Sequence, residues 1–206
     1  MAARTLGFLA SGRGSNMQAI IDACRAGRLD CRPAVVISNH PDSGALERAR
    51  KAGIPGYSLG RNTHPDPEAL DRAILATLRR HGVDLVVLAG YMKKVGPAVL
   101  EAYRHRIVNI HPALLPKFGG VGMYGMKVHE AVIAAGERET GVTVHLVNAE
   151  YDTGSVLAQR AVPVAADDTA ESLARRVLEV EHTLYVETLQ KIVSGEIILP
   201  PAGAES

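Results

Sequence analysis

The stretch Val83-Asp-Leu-Val-Val-Leu-Ala89 is a nearly continuous apolar run, of the kind that forms a strand buried on both faces. Upstream of it, short apolar runs alternate with helix-like patterns, which favours a parallel sheet with right-handed crossovers. The elements predicted there are strands over Thr5–Ala10, Pro33–Ser38 and Gly56–Leu59, and helices over Asn16–Ala26, Ala45–Ala52 and Glu68–His81.

The part of the chain after this run follows a different pattern. An apolar strand around Asn109 is followed by a glycine-rich stretch, 119–125. The elements predicted next are a helix over Val128–Ala135, strands over Thr140–Val147 and Ser155–Val164, and a long helix over Thr169–Val193. A polar loop joins the two strands, which could therefore pair antiparallel. The sequence predicts one α/β domain over residues 1–206, with a mostly parallel sheet flanked by helices and an antiparallel portion in its C-terminal half.

The composition is that of an ordinary globular protein. Of 206 residues, 47% are hydrophobic and 22% are charged, and the formal net charge is +1. This balance gives no sign of a nucleic-acid partner or of an acidic membrane surface, and no stretch is apolar for long enough to cross a bilayer. The start of the sequence does not resemble a signal peptide. Two cysteines without CxxC spacing favour a reduced, cytoplasmic chain, and the eight histidines lack metal-binding spacing, so no metal site is expected.

The segment Ile107-Val-Asn-Ile-His-Pro-Ala-Leu-Leu-Pro116 places an amide and an imidazole near the end of an apolar strand. Side chains alternate faces along a strand, so Asn109 and His111 point the same way. Pro112 lacks a backbone donor and ends regular pairing after His111. A fixed amide beside an imidazole that exchanges protons suits a reaction with a developing oxyanion and a migrating proton. Two ordinary polar groups at a strand end would give the same pattern.

The first predicted strand runs into Ser11-Gly-Arg-Gly-Ser-Asn16 and then into a helix. Glycines let a backbone approach a ligand closely, and the start of a helix presents unpaired amides to anions. Gly14 belongs to this loop, and Ser15 and Asn16 are capping types that can also donate to phosphate oxygens. We interpret the loop as a site for one phosphate, with a plain strand-to-helix turn as the alternative. A dinucleotide site is disfavoured because Met17 replaces the third glycine of the usual motif.

Two carboxylates are candidates for work at the same site. Asp152 lies in the polar loop 148–154, where a carboxylate is usually solvated, but a carboxylate near His111 would stabilise its imidazolium form. Glu181 flanks the apolar stripe of the last helix, at the margin of the core, where an unpaired carboxylate is costly. It could pair with a cationic ligand group or with an internal arginine such as Arg175 or Arg176.

Several other residues have simpler interpretations. His145 alternates with apolar residues in a predicted strand; it could face an active cleft, but a satisfied structural histidine is the favoured interpretation. His129 is expected at the surface and His182 at the surface or in packing. Met92 and Val95 are interpreted on local grounds as core residues.

Together these motifs resemble the folate-dependent formyltransferases, and the resemblance spans essentially the whole chain in order. The segments that carry it are Gly12-Arg-Gly-Ser-Asn16, Leu88-Ala-Gly-Tyr-Met92, Asn109-Ile-His-Pro-Ala-Leu-Leu-Pro116, Gly141-Val-Thr-Val-His145, Asp152-Thr-Gly154 and Glu181-His182. Within that family the pattern is most similar to the branch that acts on glycinamide ribonucleotide in purine synthesis. The resemblance implies a Rossmann-like formyltransferase fold.

The resemblance also implies a role for each motif. Asn109, His111 and Asp152 would form the catalytic group. Residues that would hold the substrate are Gly14, Ser15 and Asn16 at its phosphate and Glu181 at its ribose. Residues that would hold the folate, largely through backbone groups, are Tyr91, Met92, Lys93, Lys94, Val95, Asn148 and Asp152. Residues 1–105 would form a phosphate-binding Rossmann-like half, and residues 106–200 a catalytic and folate-binding half.

The implied reaction moves a formyl group from 10-formyltetrahydrofolate, as co-substrate, to the amine of glycinamide ribonucleotide, without a metal. The partners would be these two small molecules, with neither nucleic acid nor membrane, and the chain would be a monomer or a homodimer. A formyltetrahydrofolate hydrolase would use the same three residues with water as the acceptor. A methionyl-tRNA formyltransferase would add a C-terminal domain and a basic surface. Outside enzymes, the alternative is a non-catalytic phosphosugar-binding module.

Overall fold

A computed structural model describes residues 4–201 and contains one seven-stranded sheet. In chain order its strands are β1 (Arg4–Ala10), β2 (Cys31–Ser38), β3 (Gly56–Ser58), β4 (Leu85–Leu88), β5 (Ile107–His111), β6 (Glu139–Leu146) and β7 (Val156–Pro163). Across the sheet the order is β3-β2-β1-β4-β5-β6-β7. The first five strands pair in parallel, and β6 and β7 are antiparallel to their neighbours. The predicted fold class is therefore confirmed.

Within residues 4–201, six helices are packed around the sheet. They are α1 (Ser15–Arg25), α2 (Gly44–Ala52), α3 (Pro67–Arg80), α4 (Pro97–Ala102), α5 (Met126–Ala134) and α6 (Ala170–Ser194). Every predicted element lies within two residues of its observed bounds. Within residues 4–201, no helix combines the length and the apolar character that crossing a membrane requires.

Helix α4 is the element that the sequence pattern did not reveal. It has six residues and begins with Pro97, a residue favoured at the first helical position. Its cap comes from another helix, because the buried carboxylate of Asp71 on α3 accepts from the amides of Ala98 at 2.6 Å and Val99 at 3.2 Å. A cap supplied from 27 residues away in the sequence leaves no local signature.

The sheet separates two apolar cores, which explains the continuous apolar character of β4. Leu85 and Val87 enter the core that α1, α5 and α6 cover, whereas Val86 and Leu88 enter the core under α3 and α4. Successive side chains of a strand point to opposite faces, so a strand covered on both sides must be apolar at every position.

The chain leaves β1 toward β2 on one side of the sheet and returns through α3 to β4 on the other. Ligands of open parallel sheets bind where the strand order reverses in this way, at the carboxyl ends of the strands. The loops after β1, β4 and β5 begin at that edge, at residues Ser11, Ala89 and Pro112. This topology brings the predicted loop motifs together.

Candidate active site

A cavity of about 630 Å³ opens at the carboxyl ends of β1, β4 and β5. The sequence-predicted residues that line it are Asn16, Tyr91, Met92, Lys93, Lys94, Val95, Asn109, His111, Asn148, Asp152 and Glu181. Gly14 and Ser15 belong to the adjoining loop but do not line the cavity. The lining residues that sequence reasoning did not select as site residues include Arg13, Gly120, His129 and His145.

The imidazole of His111 lies beside the carboxylate of Asp152, with 3.6 Å between Nδ1 and Oδ2. Asp152 comes from the loop between β6 and β7 and has a φ of +56°, an uncommon backbone conformation for a residue with a side chain. The other ring nitrogen of His111, Nε2, lies 2.7 Å from the carbonyl oxygen of Phe118. A carbonyl oxygen only accepts, so Nε2 carries the hydrogen, and a second proton on the ring would sit at Nδ1, facing the carboxylate.

Burial and the surrounding charges leave the His111 ring neutral and the Asp152 carboxylate ionised. Burial lowers the pKa of His111, and the charge of Asp152 offsets this only in part, so the ring is mainly neutral at pH 7. Burial alone would raise the pKa of Asp152. The neighbouring ring of His145, the charge of His111 and the hydrogen bond from the Gly120 amide outweigh it and hold that pKa below its usual range. The pair is therefore a neutral base beside a carboxylate, ready to accept a proton.

Asn109 is oriented by His145 on the neighbouring strand. The two residues are register partners in the β5–β6 pair, and Asn109 Nδ2 lies 3.1 Å from His145 Nε2. The other nitrogen, Nδ1, donates to the carbonyl of Leu146 at 2.8 Å, so in the neutral ring Nε2 accepts from the amide. His145 Nε2 also lies 3.5 Å from Asp152 Oδ1. The sequence predicted a structural histidine with its hydrogen bonds satisfied. His145 is hydrogen-bonded, but it also contacts Asn109 and Asp152, two of the three predicted catalytic residues.

The loop 12–16 turns its carbonyl groups away from the cavity. Each of three carbonyls accepts a hydrogen bond: Gly12 O from Ala45 N at 3.1 Å, Arg13 O from Arg48 Nε at 2.9 Å, and Gly14 O from Gln18 N at 2.9 Å. Within residues 4–201, the amides of residues 12–17 have no acceptor. A row of unpaired amides at the start of a helix is an anion-binding arrangement.

Gly14, rather than Ser15 or Asn16, is the N-cap of α1, and no side chain caps the helix. The capping that the residue types suggested is therefore wrong. Gly14 has a φ of +70°, and a Cβ there would lie 2.9 Å from the Cα of Ala45. Only glycine permits both this conformation and this approach to α2. The missing side-chain cap leaves the first amides of α1 available to a ligand.

Glu181 is buried and accepts a hydrogen bond from Asn16 Nδ2 at 2.8 Å. Burial raises the pKa of Glu181 to about 7, an effect that the bond from Asn16 reduces. The arginine pairing considered from the sequence is wrong, because Arg176 instead pairs with Asp168 at 2.6 Å. Asn16 Oδ1 is buried and has no partner within residues 4–201. The pair joins the loop after β1 to α6 and presents polar groups to the cavity.

The segment 91–95 forms the opposite side of the cavity. Backbone groups of Lys93, Lys94 and Val95 have no hydrogen-bond partner within the described residues, so they are open to a ligand. Met92 is 47% exposed, which corrects the expectation that it is a core residue, whereas Val95 is buried and also lines the cavity. The Lys94 ammonium lies 5.7 Å from the centre of the Tyr151 ring, across the opening.

His129 was expected at the surface and is buried instead. It lies in the first turns of α5 and lines the cavity, and its Nδ1 has no partner within residues 4–201. Burial, followed by the charge of His111, lowers the pKa of His129. Its burial depends on how α5 packs, which the position of a histidine in a short helix does not reveal. In the described part of the chain, no three His, Cys, Asp or Glu side chains are grouped to hold a metal.

Comparisons with known proteins find relatives that match this chain over most of its length. A family described as formyl transferase matches residues 4–189. The chain is 45% identical over 195 residues to the chloroplastic phosphoribosylglycinamide formyltransferase of Arabidopsis thaliana, covering 94% of this chain and 67% of that protein. It is 39% identical to the Escherichia coli phosphoribosylglycinamide formyltransferase, covering 92% of this chain and 87% of that protein.

Solved structures show the same similarity. The crystal structure of glycinamide ribonucleotide transformylase 1 from Symbiobacterium toebii superposes with a TM-score of 0.90 at 41% identity, covering 98% of this chain and 92% of that chain. The match thus includes the parallel and the antiparallel strands of the sheet. This chain belongs to the formyl transferase family.

Proposed function

We propose that this protein transfers the formyl group of 10-formyltetrahydrofolate to the amine of glycinamide ribonucleotide, in de novo purine synthesis. The observation that carries the proposal is the convergence of Asn109, His111 and Asp152 in one cavity, beside a loop in which the amides of residues 12–17 have no acceptor within residues 4–201. The cavity therefore combines proton-transfer chemistry with a separate place for a phosphate. Formyltransferase relatives named for glycinamide ribonucleotide support this choice of substrate.

The phosphoribosyl end of the acceptor would occupy the side formed by the first loop and α6. Gly14, Ser15 and Asn16 would bind the phosphate through the amides that the fold leaves unpaired. Glu181 would accept hydrogen bonds from the ribose hydroxyl groups, since its carboxylate is buried and has Asn16 as its only hydrogen-bond partner within residues 4–201. Arg13 lines the same side and would add a positive charge.

The folate would lie between the segment 91–95 and the loop 148–152. A pterin ring carries both donors and acceptors, which match the unpaired backbone groups of Lys93, Lys94 and Val95. Tyr91, Met92, Asn148 and Asp152 complete this side of the cavity. The exposed rim, where Lys94 lies over the Tyr151 ring, suits the anionic tail of the cofactor.

The reaction begins with the neutral amine of the acceptor. An α-amino group has a pKa of about 8, so roughly a tenth is neutral at pH 7. Its attack on the formyl carbon forms an oxyanion, to which the Asn109 amide donates. The new ammonium loses a proton by way of Asp152 to Nδ1 of His111, which becomes an imidazolium paired with the carboxylate. The proton then moves to the folate nitrogen as its bond to carbon breaks.

The test follows deformylation of 10-formyltetrahydrofolate by absorbance, with and without glycinamide ribonucleotide. We expect deformylation that depends on the ribonucleotide and yields its N-formyl product. Deformylation that ignores the ribonucleotide would mean a hydrolase, and no deformylation at all would favour a binding module. His111→Ala should abolish turnover with little loss of affinity for the phosphorylated ligand.

Two further points extend the proposal. We propose that the protein acts as a monomer or a homodimer. We also place the reaction in the cytoplasm, a location that suits the unpaired thiols of Cys24 and Cys31.

A further inference from the structure

The hydroxyl group of Ser11 joins the end of β1 to the segment that lines the folate side of the cavity. Ser11 is 8% exposed, and its Oγ accepts a hydrogen bond from the amide of Met92 at 2.8 Å. Its own amide donates to the carbonyl of Gly90 at 3.0 Å. These two bonds fix the backbone immediately before the open groups of residues 93–95.

The side chain of Asn39 determines the direction of this hydroxyl group. Ser11 Oγ donates its single hydrogen to Asn39 Oδ1 at 2.6 Å, which turns an oxygen lone pair toward the Met92 amide. The backbone of Asn39 lies close to Gly60, since a Cβ on Gly60 would lie 2.7 Å from the backbone carbonyl oxygen of Asn39. The amide of Asn39 thus acts on residue 92 without contacting the cavity.

We propose that Ser11 and Asn39 act as one positioning unit for the folate site, an inference that rests on the proposed function. The unit holds residues 92–95 so that their free backbone groups face the cofactor. The phosphate loop is held separately, because its carbonyl groups are bound by Ala45, Arg48 and Gln18. Loss of the unit should therefore weaken binding of 10-formyltetrahydrofolate and leave binding of glycinamide ribonucleotide unchanged.

The experiment compares Ser11→Ala, Asn39→Ala and the double variant with the wild type. We expect each single variant to raise KM for 10-formyltetrahydrofolate about tenfold, because Ser11→Ala removes the acceptor of the Met92 amide and Asn39→Ala releases the hydroxyl that supplies it. KM for glycinamide ribonucleotide should stay within about twofold, and the double variant should be no worse than either single one, because the two residues form one unit. Asn39→Asp keeps the acceptor oxygen and should stay close to the wild type.

A matched control is Ser38→Ala, which removes a buried hydroxyl that accepts from the His40 amide at 3.1 Å but does not contact residues 90–92. This control should leave both KM values unchanged. Equal increases in KM for both substrates, or additive effects in the double variant, would overturn the proposal.

A second measurement separates this proposal from the proposed function. In the ligand-free protein, the amide hydrogen of Met92 should exchange with solvent faster in Ser11→Ala than in the wild type, measured by NMR. An unchanged exchange rate would refute the positioning unit whatever reaction the protein catalyses. Absence of formyl transfer by the wild type, with accelerated exchange in the variant, would refute the reaction and leave the positioning unit supported.

Discussion

At the scale of single residues, the site depends on burying groups that can change charge. His111 and Glu181 are both buried, and burial disfavours the charged form of each, lowering the pKa of one and raising that of the other. At neutral pH, His111 is therefore mainly neutral, and Glu181, with a pKa of about 7, is close to half ionised. This property makes them responsive to ligands and to pH near neutrality.

Replacement of Asp152 by Asn should lower the pKa of His111 further. The carboxylate is the main group that raises this pKa against burial, and an amide carries no charge to replace it. We expect the titration of the His111 ring, followed by NMR, to move to lower pH, and turnover to fall by about 10²–10⁴-fold. Asp167→Asn, on an exposed loop, is the control and should change neither. A His111 titration that stays in place would argue against the pairing.

Replacement of Glu181 by Gln should stabilise the protein at neutral pH. The unfolded carboxyl group ionises near 4.5 and the folded one near 7, so rising pH favours unfolding of the wild type between these values. Full ionisation of Glu181 lowers the free energy of unfolding by an amount on the order of 3 kcal/mol, and the variant does not have this loss. The amide oxygen of Gln at this position can still accept from Asn16. Urea denaturation at pH 5 and pH 8 should show the advantage of the variant growing with pH.

The exposed Glu179 lies on the same helix and provides the control for this measurement. Glu179→Gln should change the free energy of unfolding similarly at both pH values. If Glu181→Gln gave the same small, pH-independent change, the buried carboxyl would not carry the raised pKa.

At the scale of elements, the phosphate loop is shaped by its contact with α2. Its carbonyl groups bond to Ala45, Arg48 and Gln18, whereas its amides have no acceptor within residues 4–201. The close approach of Gly14 to Ala45 allows no side chain at that position. The anion site is therefore a product of one helix start and of the neighbouring helix that braces it.

Substitution of Gly14 by Ala should damage the phosphate site specifically. A positive φ costs an alanine about 1–2 kcal/mol, and the added Cβ would also press on Ala45 and displace the loop. The matched control is Gly27→Ala, which has a similar φ of +68° but open space around it. Both variants should lose stability in thermal unfolding, but only Gly14→Ala should raise KM for the ribonucleotide, by tenfold or more.

An equal increase in KM for the ribonucleotide in Gly14→Ala and Gly27→Ala would mean that general destabilisation, not loop geometry, controls the affinity for the ribonucleotide. Neither variant should change KM for the folate, because the segment 91–95 is held by other contacts.

At the scale of the whole molecule, the cavity lies between the two halves of the chain. Asn16 and the segment 91–95 come from the first 105 residues, whereas Asn109, Asp152 and Glu181 come from the rest. The sheet continues across this boundary through the parallel pair β4–β5. We therefore propose that the halves form one domain rather than two folding units.

A fragment of residues 1–105 should not fold alone. It would expose β4 as an open edge and lose the face of α6 that packs against α1. We expect poor chemical-shift dispersion by NMR and no cooperative thermal transition, and the intact chain provides the control. A cooperative transition in the isolated fragment would contradict the single-domain proposal.

The sequence by itself determined the order and type of nearly all elements, because hydrophobic periodicity is a local property. It also determined that Asn109 and His111 share one face of β5, since alternation along a strand requires it. Glycines placed before a helix also predicted amides available to an anion, although contacts with α2 fix the loop that presents them.

Only the tertiary structure decided the contacts made across long separations in the chain. The cap that Asp71 gives to α4, the partner of Glu181 and the burial of His129 belong to this class. The contact between His145 and Asn109 depends on the register of β5 against β6, which a single sequence does not fix. Local patterns encode what neighbouring residues do to one another, whereas protonation states and substrate contacts arise from groups that only packing brings together.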